Sequence, residues 1–162
     1  MMLNKEKVLA FLPHRDPFLF IDSVESIDID DWEIGKGVIA SKNIIGGKIV
    51  AHYLPHKELD IFKGHFPGRP VLPGVIQVEM MAQASSFIIF GLLQDPFAKN
   101  ELELALIAVN DAKFRKPIFP EMDLKIITTC TRYRGNIMAS HCQVFHANEL
   151  MSEASIMASV KF

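Results

Sequence analysis

Hydrophobic and polar residues follow different periods along the chain, and each period predicts a different element. Apolar positions within residues 5–11 have helical spacing and Pro13 follows them, so they predict a short amphipathic helix. Apolar, β-branched segments bounded by glycine or proline predict strands instead. These segments are 18–24, 32–44 and 46–54.

Residues 75–93 form an apolar run, and Glu79 is the only charged residue between Gly74 and Gln94. The run is just long enough to cross a membrane as a helix. However, a carboxylate near the middle of a span costs about 2.5–3.5 kcal/mol, and no Lys/Arg cluster flanks the run. We therefore expect no integral membrane segment and predict a helix that is apolar on every face and surrounded by the rest of the domain.

The second half of the chain, after a polar break at 93–101, contains extended segments joined by Pro-Glu, Arg-Gly-Asn and Ala-Asn-Glu turns. They predict an antiparallel meander of 104–118, 122–133, 137–147 and 150–162. One dominant helix between strands on both sides predicts an α+β fold, in which a curved antiparallel sheet wraps around the helix. The length of 162 residues fits a single domain over 1–162.

Composition narrows the class of protein. The chain is 49% apolar and 22% charged, which is typical of a globular protein. Its net charge of -2 gives no indication of a nucleic-acid partner. The N-terminal residues lack the apolar core and cleavage site of a secretion signal, so we expect a cytoplasmic protein. Cys130 and Cys142 lie equidistant from Asn136 in a predicted hairpin, where they could pair across two strands. A reducing compartment favours two free thiols instead.

A histidine, a predicted helix start and a carboxylate follow each other closely in residues 64–83, GHFPGRPVLPGVIQVEMMAQ. His65 lies in a proline-stiffened loop before Gly74, where backbone N–H groups at the helix start can hold an oxyanion. Glu79 and Gln83 are spaced i, i+4 on one helix face. An imidazole, a carboxylate and free N–H groups together suit proton abstraction beside a carbonyl, followed by loss of a leaving group.

Simpler interpretations of these residues stay open. A histidine in a loop usually has no chemical role, and a glutamate in a helix usually faces solvent. The neighbours of Glu79, however, are apolar. The P-x-x-P-x-x-P spacing is also that of a polyproline ligand, which the apolar continuation disfavours. No Gly-Lys-Ser/Thr follows the glycines, which excludes a phosphate loop. Pro55 lies between His52 and His56 and disfavours a metal pair, and nothing else suggests a metal or cofactor.

Three sequence blocks resemble the (3R)-3-hydroxyacyl-acyl-carrier-protein dehydratases of the FabZ type. They are LPHRDPFLFIDSV at 12–24, GHFPGRPVLPGVIQVEMMAQA at 64–84 and KFRKPIFP at 113–120. The resemblance implies a hotdog fold and a homodimer with two active sites, often assembled as a trimer of dimers. It implies dehydration of a 3-hydroxyacyl chain on acyl carrier protein to the trans-2-enoyl form, in type II fatty acid synthesis or a related acyl pathway, without a cofactor.

The resemblance also assigns roles to matching residues. His65 would be the catalytic base, and Glu79 of the partner subunit the second catalytic group. The Gly74 N–H would polarise the thioester carbonyl, and Gln83 would help hold Glu79. Because the carrier protein is acidic, basic residues are candidates for docking it. These are Lys113, Arg115, Lys116, Arg132 and Arg134. We expect Phe87, Ile88 and Phe90 to lie mainly in the core, although some of them are candidates to line a tunnel for the acyl chain.

Three departures from the family's pattern indicate a paralogue with another acyl chain or pathway. Asp16 replaces a usual tyrosine, the segment 28–47 is predicted to be an inserted, enlarged hairpin, and Glu121 follows Pro120 where glycine is usual. The rival functions are dehydration with isomerisation, as in the FabA type, thioester hydrolysis, and acyl binding without catalysis. The FabA type has aspartate at the position of Glu79, and retention of both His65 and Glu79 disfavours the other two rivals.

Overall fold

Six antiparallel strands pack around one central helix in the computed structural model, which describes residues 2–98 and 102–161. Residues 99–101 of the predicted polar break and Phe162 of the predicted last strand lie outside this description. The elements in chain order are α1 Lys5–Phe11, β1 Ser23–Asp28, a 3₁₀ helix Ser41–Ile44, β2 Lys48–Tyr53, α2 Ile61–Gly64, α3 Gly74–Ser86, a 3₁₀ helix Phe87–Leu92, β3 Glu103–Phe114, β4 Leu124–Arg134, β5 Ile137–His146 and β6 Glu149–Lys161.

The sheet has the strand order β1-β2-β4-β5-β6-β3. Strands β4, β5 and β6 form a meander, and buried residues alternate along each of them because one face covers the helix. The predicted four-stranded meander is therefore wrong for its first strand, β3, which does not pair with β4. Strand β3 follows the helix and pairs with β6, which makes β3 one edge of the sheet. Helix α3 contacts all strands from β2 to β6. The predicted α+β architecture, a sheet wrapped around one helix, is confirmed.

Helix α3 is buried on most of its circumference but not on all of it. Residues 74–92 are apolar enough to cross a membrane, yet most of them are buried inside the fold, as expected of a core helix. An open stripe runs along Val75, Val78, Glu79 and Ala82, with Val75 76% exposed. The prediction that one chain surrounds the whole helix is therefore wrong. The predicted helix also changes to 3₁₀ geometry after Ser86.

The segment between β1 and β2 contains no strand, so the prediction of a strand at 32–44 is wrong. Gly35 and Gly37 have φ of 90° and 89°, which interrupts an extended chain. The segment instead folds over the end of the helix, where the Ile39 N–H donates to Gly91 O at 2.8 Å. It joins two paired strands, as in a hairpin, and β1 starts at Ser23 rather than at residue 18.

The two cysteines are free and buried. Across the β4–β5 hairpin, Cys130 lies opposite Ser140 and Cys142 lies opposite Thr128, so neither thiol faces the other directly. Burial raises the pKa of the Cys130 thiol to about 11, and it raises the pKa of Cys142 as well. Both therefore act as core residues rather than as a disulfide or a reactive pair.

Glu121, at the family's usual glycine position, has a left-handed backbone with φ of 64°. Its N–H donates to Pro55 O at 2.9 Å, and its Oε1 accepts from the Lys57 N–H at 2.6 Å. These two hydrogen bonds hold the β3–β4 connection against the loop after β2. They offset part of the cost of a left-handed conformation in a residue with a side chain.

Replacing Gly47 with alanine is expected to destabilise the fold. The added Cβ would lie 2.7 Å from the end of the Ile88 side chain, and only 3.0 and 3.1 Å from the backbone oxygens of Ile44 and Asp28, so both side chain and backbone would have to shift. Overpacking of this kind costs about 2 kcal/mol, which corresponds to a fall in Tm of roughly 4–8 °C. Gly64→Ala is the control because its Cβ would meet no atom within 4 Å. Equal Tm values for the two variants in thermal unfolding would contradict this packing.

Candidate active site

His65 follows α2 and is fixed at both its backbone and its ring. Its N–H donates to Ile61 O at 3.0 Å, and its carbonyl accepts from the Val71 N–H at 2.8 Å. The ring Nδ1 lies 2.8 Å from Val71 O, which can only accept, so Nδ1 carries the hydrogen. In the neutral ring Nε2 then carries the lone pair. A neutral His65 ring is therefore able to accept a proton at Nε2.

Gly74 opens helix α3 beside this histidine. Both residues line a cavity of about 300 Å³, together with Gln77, Phe114 and Lys116. Pro73 precedes the helix with an extended backbone, and N–H groups of the first helical turn have no acceptor inside the helix. A Cβ at Gly74 would lie 2.8 Å from Phe114 Cζ, so glycine keeps the helix start open. The cavity thus brings a histidine ring next to a helix start whose N–H groups can donate to an oxyanion.

Gln83 ties Glu79 to the chain that follows α1. Its Nε2 donates to Glu79 Oε1 and to Phe18 O, both at 2.9 Å, and its Oε1 accepts from the Phe20 N–H at 2.8 Å. All the hydrogen-bonding groups of this buried amide are paired in this way. The predicted contact between Gln83 and Glu79 is present.

His14 is a site residue that the sequence reasoning missed. Its Nε2 lies 3.2 Å from Glu79 Oε1, and both side chains are about four-fifths buried. The hydrogen bond from His14 is the largest cause that lowers the pKa of Glu79, burial opposes it, and Gln83 lowers the pKa further. The signal was in the first family block, but 65 residues separate His14 from Glu79, so no helical or strand spacing links them.

A small, mainly apolar cavity of about 90 Å³ begins at His14 and Glu79 and runs along α3 to Ser86. Its floor includes Leu106, Ala158 and Met138, which lie side by side in the register of β3, β6 and β5. Phe87, Ile88 and Phe90 are buried in the core, as expected for most of them, and none of the three lines this cavity.

Within one chain, His65 and Glu79 line different cavities. Gly74 lines the cavity of His65 and also an open groove of about 660 Å³ that includes Glu79. The groove runs between the open stripe of α3 and strand β3, and it is apolar apart from Glu79. The histidine and the carboxylate therefore lie on either side of the helix start rather than in one closed pocket.

The basic residues predicted for docking are divided between two places, so they do not form one patch. Lys116 and Arg115 line the cavity of His65, where Lys116 pairs with Glu149 and Arg115 lies 2.5 Å from Glu153. Lys113, next to them in sequence, lies opposite Glu153. Arg132 and Arg134 line a separate depression at the β4–β5 turn.

The two histidines considered as a metal pair have different partners. His52 Nε2 lies 2.7 Å from Glu25 Oε2, whereas His56 lies 3.9 Å from Glu121. The fold therefore directs the two rings to different carboxylates.

Sequence comparison identifies relatives over almost the whole chain. A family model described as FabA-like domain matches residues 12–155. The 3-hydroxyacyl-[acyl-carrier-protein] dehydratase FabZ of Agrobacterium fabrum is 35% identical over 156 residues, which cover 94% of this chain and 86% of that protein. The protein of the same description from Campylobacter fetus is 32% identical, with 98% of each chain covered.

Solved structures share the architecture at low sequence identity. The dehydratase heterocomplex ApeI:P from Xenorhabdus doucetiae has a TM-score of 0.65 at 12% identity, covering 96% of this chain and 91% of its own. The fluoroacetyl-CoA thioesterase FlK has a TM-score of 0.57 at 11% identity, covering 72% and 87%. These similarities concern the fold alone, and they confirm the hotdog prediction.

Replacing Gln83 with leucine is expected to destabilise the protein by about 3 kcal/mol, because it leaves the Phe20 N–H, the Phe18 carbonyl and Glu79 without this partner. The fall in Tm is roughly 6–12 °C.

Gln77→Leu is the matched control on the same helix. Gln77 is also buried, but it makes one hydrogen bond, to Leu72 O, and its Oε1 has no partner among residues 2–98 and 102–161. We expect this variant to lose less than half as much stability in thermal unfolding. Equal losses would contradict the role given to the Gln83 network.

Proposed function

The chain belongs to the FabA-like family, and on that premise we propose that it is a hydro-lyase that dehydrates (3R)-3-hydroxyacyl-acyl carrier protein to the trans-2-enoyl thioester. The reaction would serve type II fatty acid synthesis or a related acyl pathway. The observation that carries the proposal is the cavity shared by His65 and Gly74, where a ring nitrogen free to accept a proton lies beside a helix start.

The first half of the reaction is removal of a proton from C2. The thioester carbonyl accepts a hydrogen bond from the Gly74 N–H, which stabilises the negative charge that develops on its oxygen. His65 Nε2 takes the C2 proton. The bond to Val71 O holds the ring in the tautomer that this step needs.

The second half is loss of the C3 hydroxyl. The pKa of Glu79 is lowered, so its carboxylate is ionised at neutral pH and accepts a hydrogen bond from that hydroxyl. As the C3–O bond breaks, the proton held by His65 passes to the departing hydroxide through a water that Glu79 orients. The products are one enoyl thioester and one water, and His65 is neutral again.

We infer that a second copy of the chain completes each site, with His65 from one protomer and Glu79 of the partner subunit. Strand β3 is an edge strand whose Leu106, Ile107 and Phe114 are each about half exposed, and the open stripe of α3 lies beside it. An unpaired edge next to an apolar groove favours pairing with another chain. A two-fold pair would bring two copies of the groove together.

The substrate's carrier would approach the cavity of His65. Lys116 and Arg115 line that cavity and Lys113 lies next to them, so we restrict the docking proposal to these three residues. The acyl chain would enter the cavity of about 90 Å³ beside Glu79. Both cysteines are free, which fits a reducing cytoplasm.

We expect wild-type protein to convert 3-hydroxyacyl-acyl carrier protein into a product with the absorbance of a conjugated enoyl thioester. His65→Ala and Glu79→Gln should each lower kcat/KM by about 10²–10⁴-fold, because each removes a positioned acid–base group. His146→Ala is the control, since that partly buried ring contacts Asp123 O outside the site.

The same assay separates the rivals. A cis-3 product would indicate isomerisation, free thiol would indicate thioester hydrolysis, and binding without product would indicate an acyl-binding protein. A variant at His65 or Glu79 with a wild-type rate would contradict the role proposed for that residue.

A mixture of the two inactive variants tests whether the sites are shared. If His65→Ala and Glu79→Gln subunits are unfolded together and refolded in equal amounts, half of the dimers contain one subunit of each kind. Each of these dimers has one intact site, so activity should return to about a quarter of the wild-type value. Activity no higher than that of the separate variants would show that each chain provides its own histidine and carboxylate.

A further inference from the structure

The loop that carries His14 is fixed by several hydrogen bonds. Arg15 Nη1 donates to Leu12 O at 2.8 Å and to His14 O at 2.6 Å, and the Phe18 N–H donates to Arg15 O at 2.7 Å. Gln83 then holds the backbone of the same loop at Phe18 and Phe20. One buried amide therefore sets the distance between the loop and helix α3, and with it the distance between His14 and Glu79.

The Glu79 carboxylate is held through one of its two oxygens. Oε1 is 2.9 Å from Gln83 Nε2 and 3.2 Å from His14 Nε2, so two donors from different parts of the chain meet on it. Two donors on one oxygen define the plane of a carboxylate better than one donor does. Oε2 is the oxygen that neither donor contacts.

We propose that His14 is a positioning residue for the dehydration, in which its Nε2–H orients the Glu79 carboxylate so that Oε2 receives the C3 hydroxyl of the substrate. This inference rests on the proposed function. It assigns His14 a role through Glu79 and no contact with the reacting atoms.

The rest of the His14 ring supports this role. Nδ1 is buried and has no hydrogen-bond partner in the described residues 2–98 and 102–161. The hydrogen bond to Glu79 is thus the polar contact through which this ring acts. A leucine of similar size would fill the same space and remove a buried nitrogen without a partner, so packing alone does not explain a histidine here.

His14 is also the titratable group that faces Glu79. Residues from α3, β3, β5 and β6 line the rest of the cavity and the groove around Glu79. Among the described residues there, none of these carries an ionisable side chain. Because the His14 hydrogen bond lowers the pKa of Glu79, its loss should return that pKa toward the ordinary value of a glutamate. The carboxylate would then become protonated at a higher pH than in the wild type.

Two substitutions separate the donor from the bulk of the ring. His14→Leu keeps the volume and removes the donor, whereas His14→Gln keeps an N–H donor on a side chain of similar reach. We expect His14→Leu to lower kcat by about 10-fold or more with little change in KM. The acid limb of its kcat/KM profile should move to higher pH, and His14→Gln should recover most of both effects. His146→Leu is the matched control. The His146 ring contacts the backbone carbonyl of Asp123, which lies outside the site.

A ¹³C NMR titration of the Glu79 carboxyl group provides a readout independent of turnover. Its midpoint should move to higher pH in His14→Leu and lie near the wild-type value in His14→Gln. An unchanged midpoint, or equal losses in the Leu and Gln variants, would overturn the role of His14. Absence of dehydration by wild-type protein would instead overturn the proposed function, and the titration would still decide whether His14 controls Glu79.

Discussion

One carboxylate on an otherwise uncharged core helix is the constraint on which the rest of the structure depends. Burial of an unpaired charge is costly, so Glu79 needs donors that no residue of the apolar sheet can supply. Gln83 supplies one from the next helical turn, and His14 supplies another from the loop after α1. The same glutamine also holds the backbone at Phe18 and Phe20. The hydrogen bonds that Glu79 requires thus also connect the N-terminal segment to the helix.

The second constraint is that one chain leaves part of this helix uncovered. The stripe from Val75 to Ala82 faces a groove beside edge strand β3, and Glu79 lies within it. The helix start at Gly74 lines both this groove and the cavity of His65. In the proposed dimer, stability and function would depend on the same contact, because a second copy that covers the apolar stripe would also place a carboxylate and a histidine around one helix start.

Elements with a clear local period could be predicted from the sequence. Helix α1 and strands β4 to β6 follow helical or alternating patterns, and the apolar run marked the core helix. The prediction of a strand at 32–44 fails because it rests on the β-branched residues of the segment. Gly35 and Gly37 adopt positive φ, which an extended strand does not allow. In the site, Glu79 and Gln83 were found by their spacing. His14 was not, because a contact across 65 residues leaves no periodic signal.

The central claim is that His65, the helix start at Gly74 and Glu79 of the partner subunit converge on one thioester. A crystal structure with a non-reactive 3-hydroxyacyl thioester analogue tests it most directly. The account predicts the analogue's carbonyl oxygen about 3 Å from the Gly74 N, its C2 facing His65 Nε2 and its C3 hydroxyl hydrogen-bonded to the partner's Glu79. An analogue bound away from Gly74, or a dimer that separates His65 from the partner's Glu79, would contradict it.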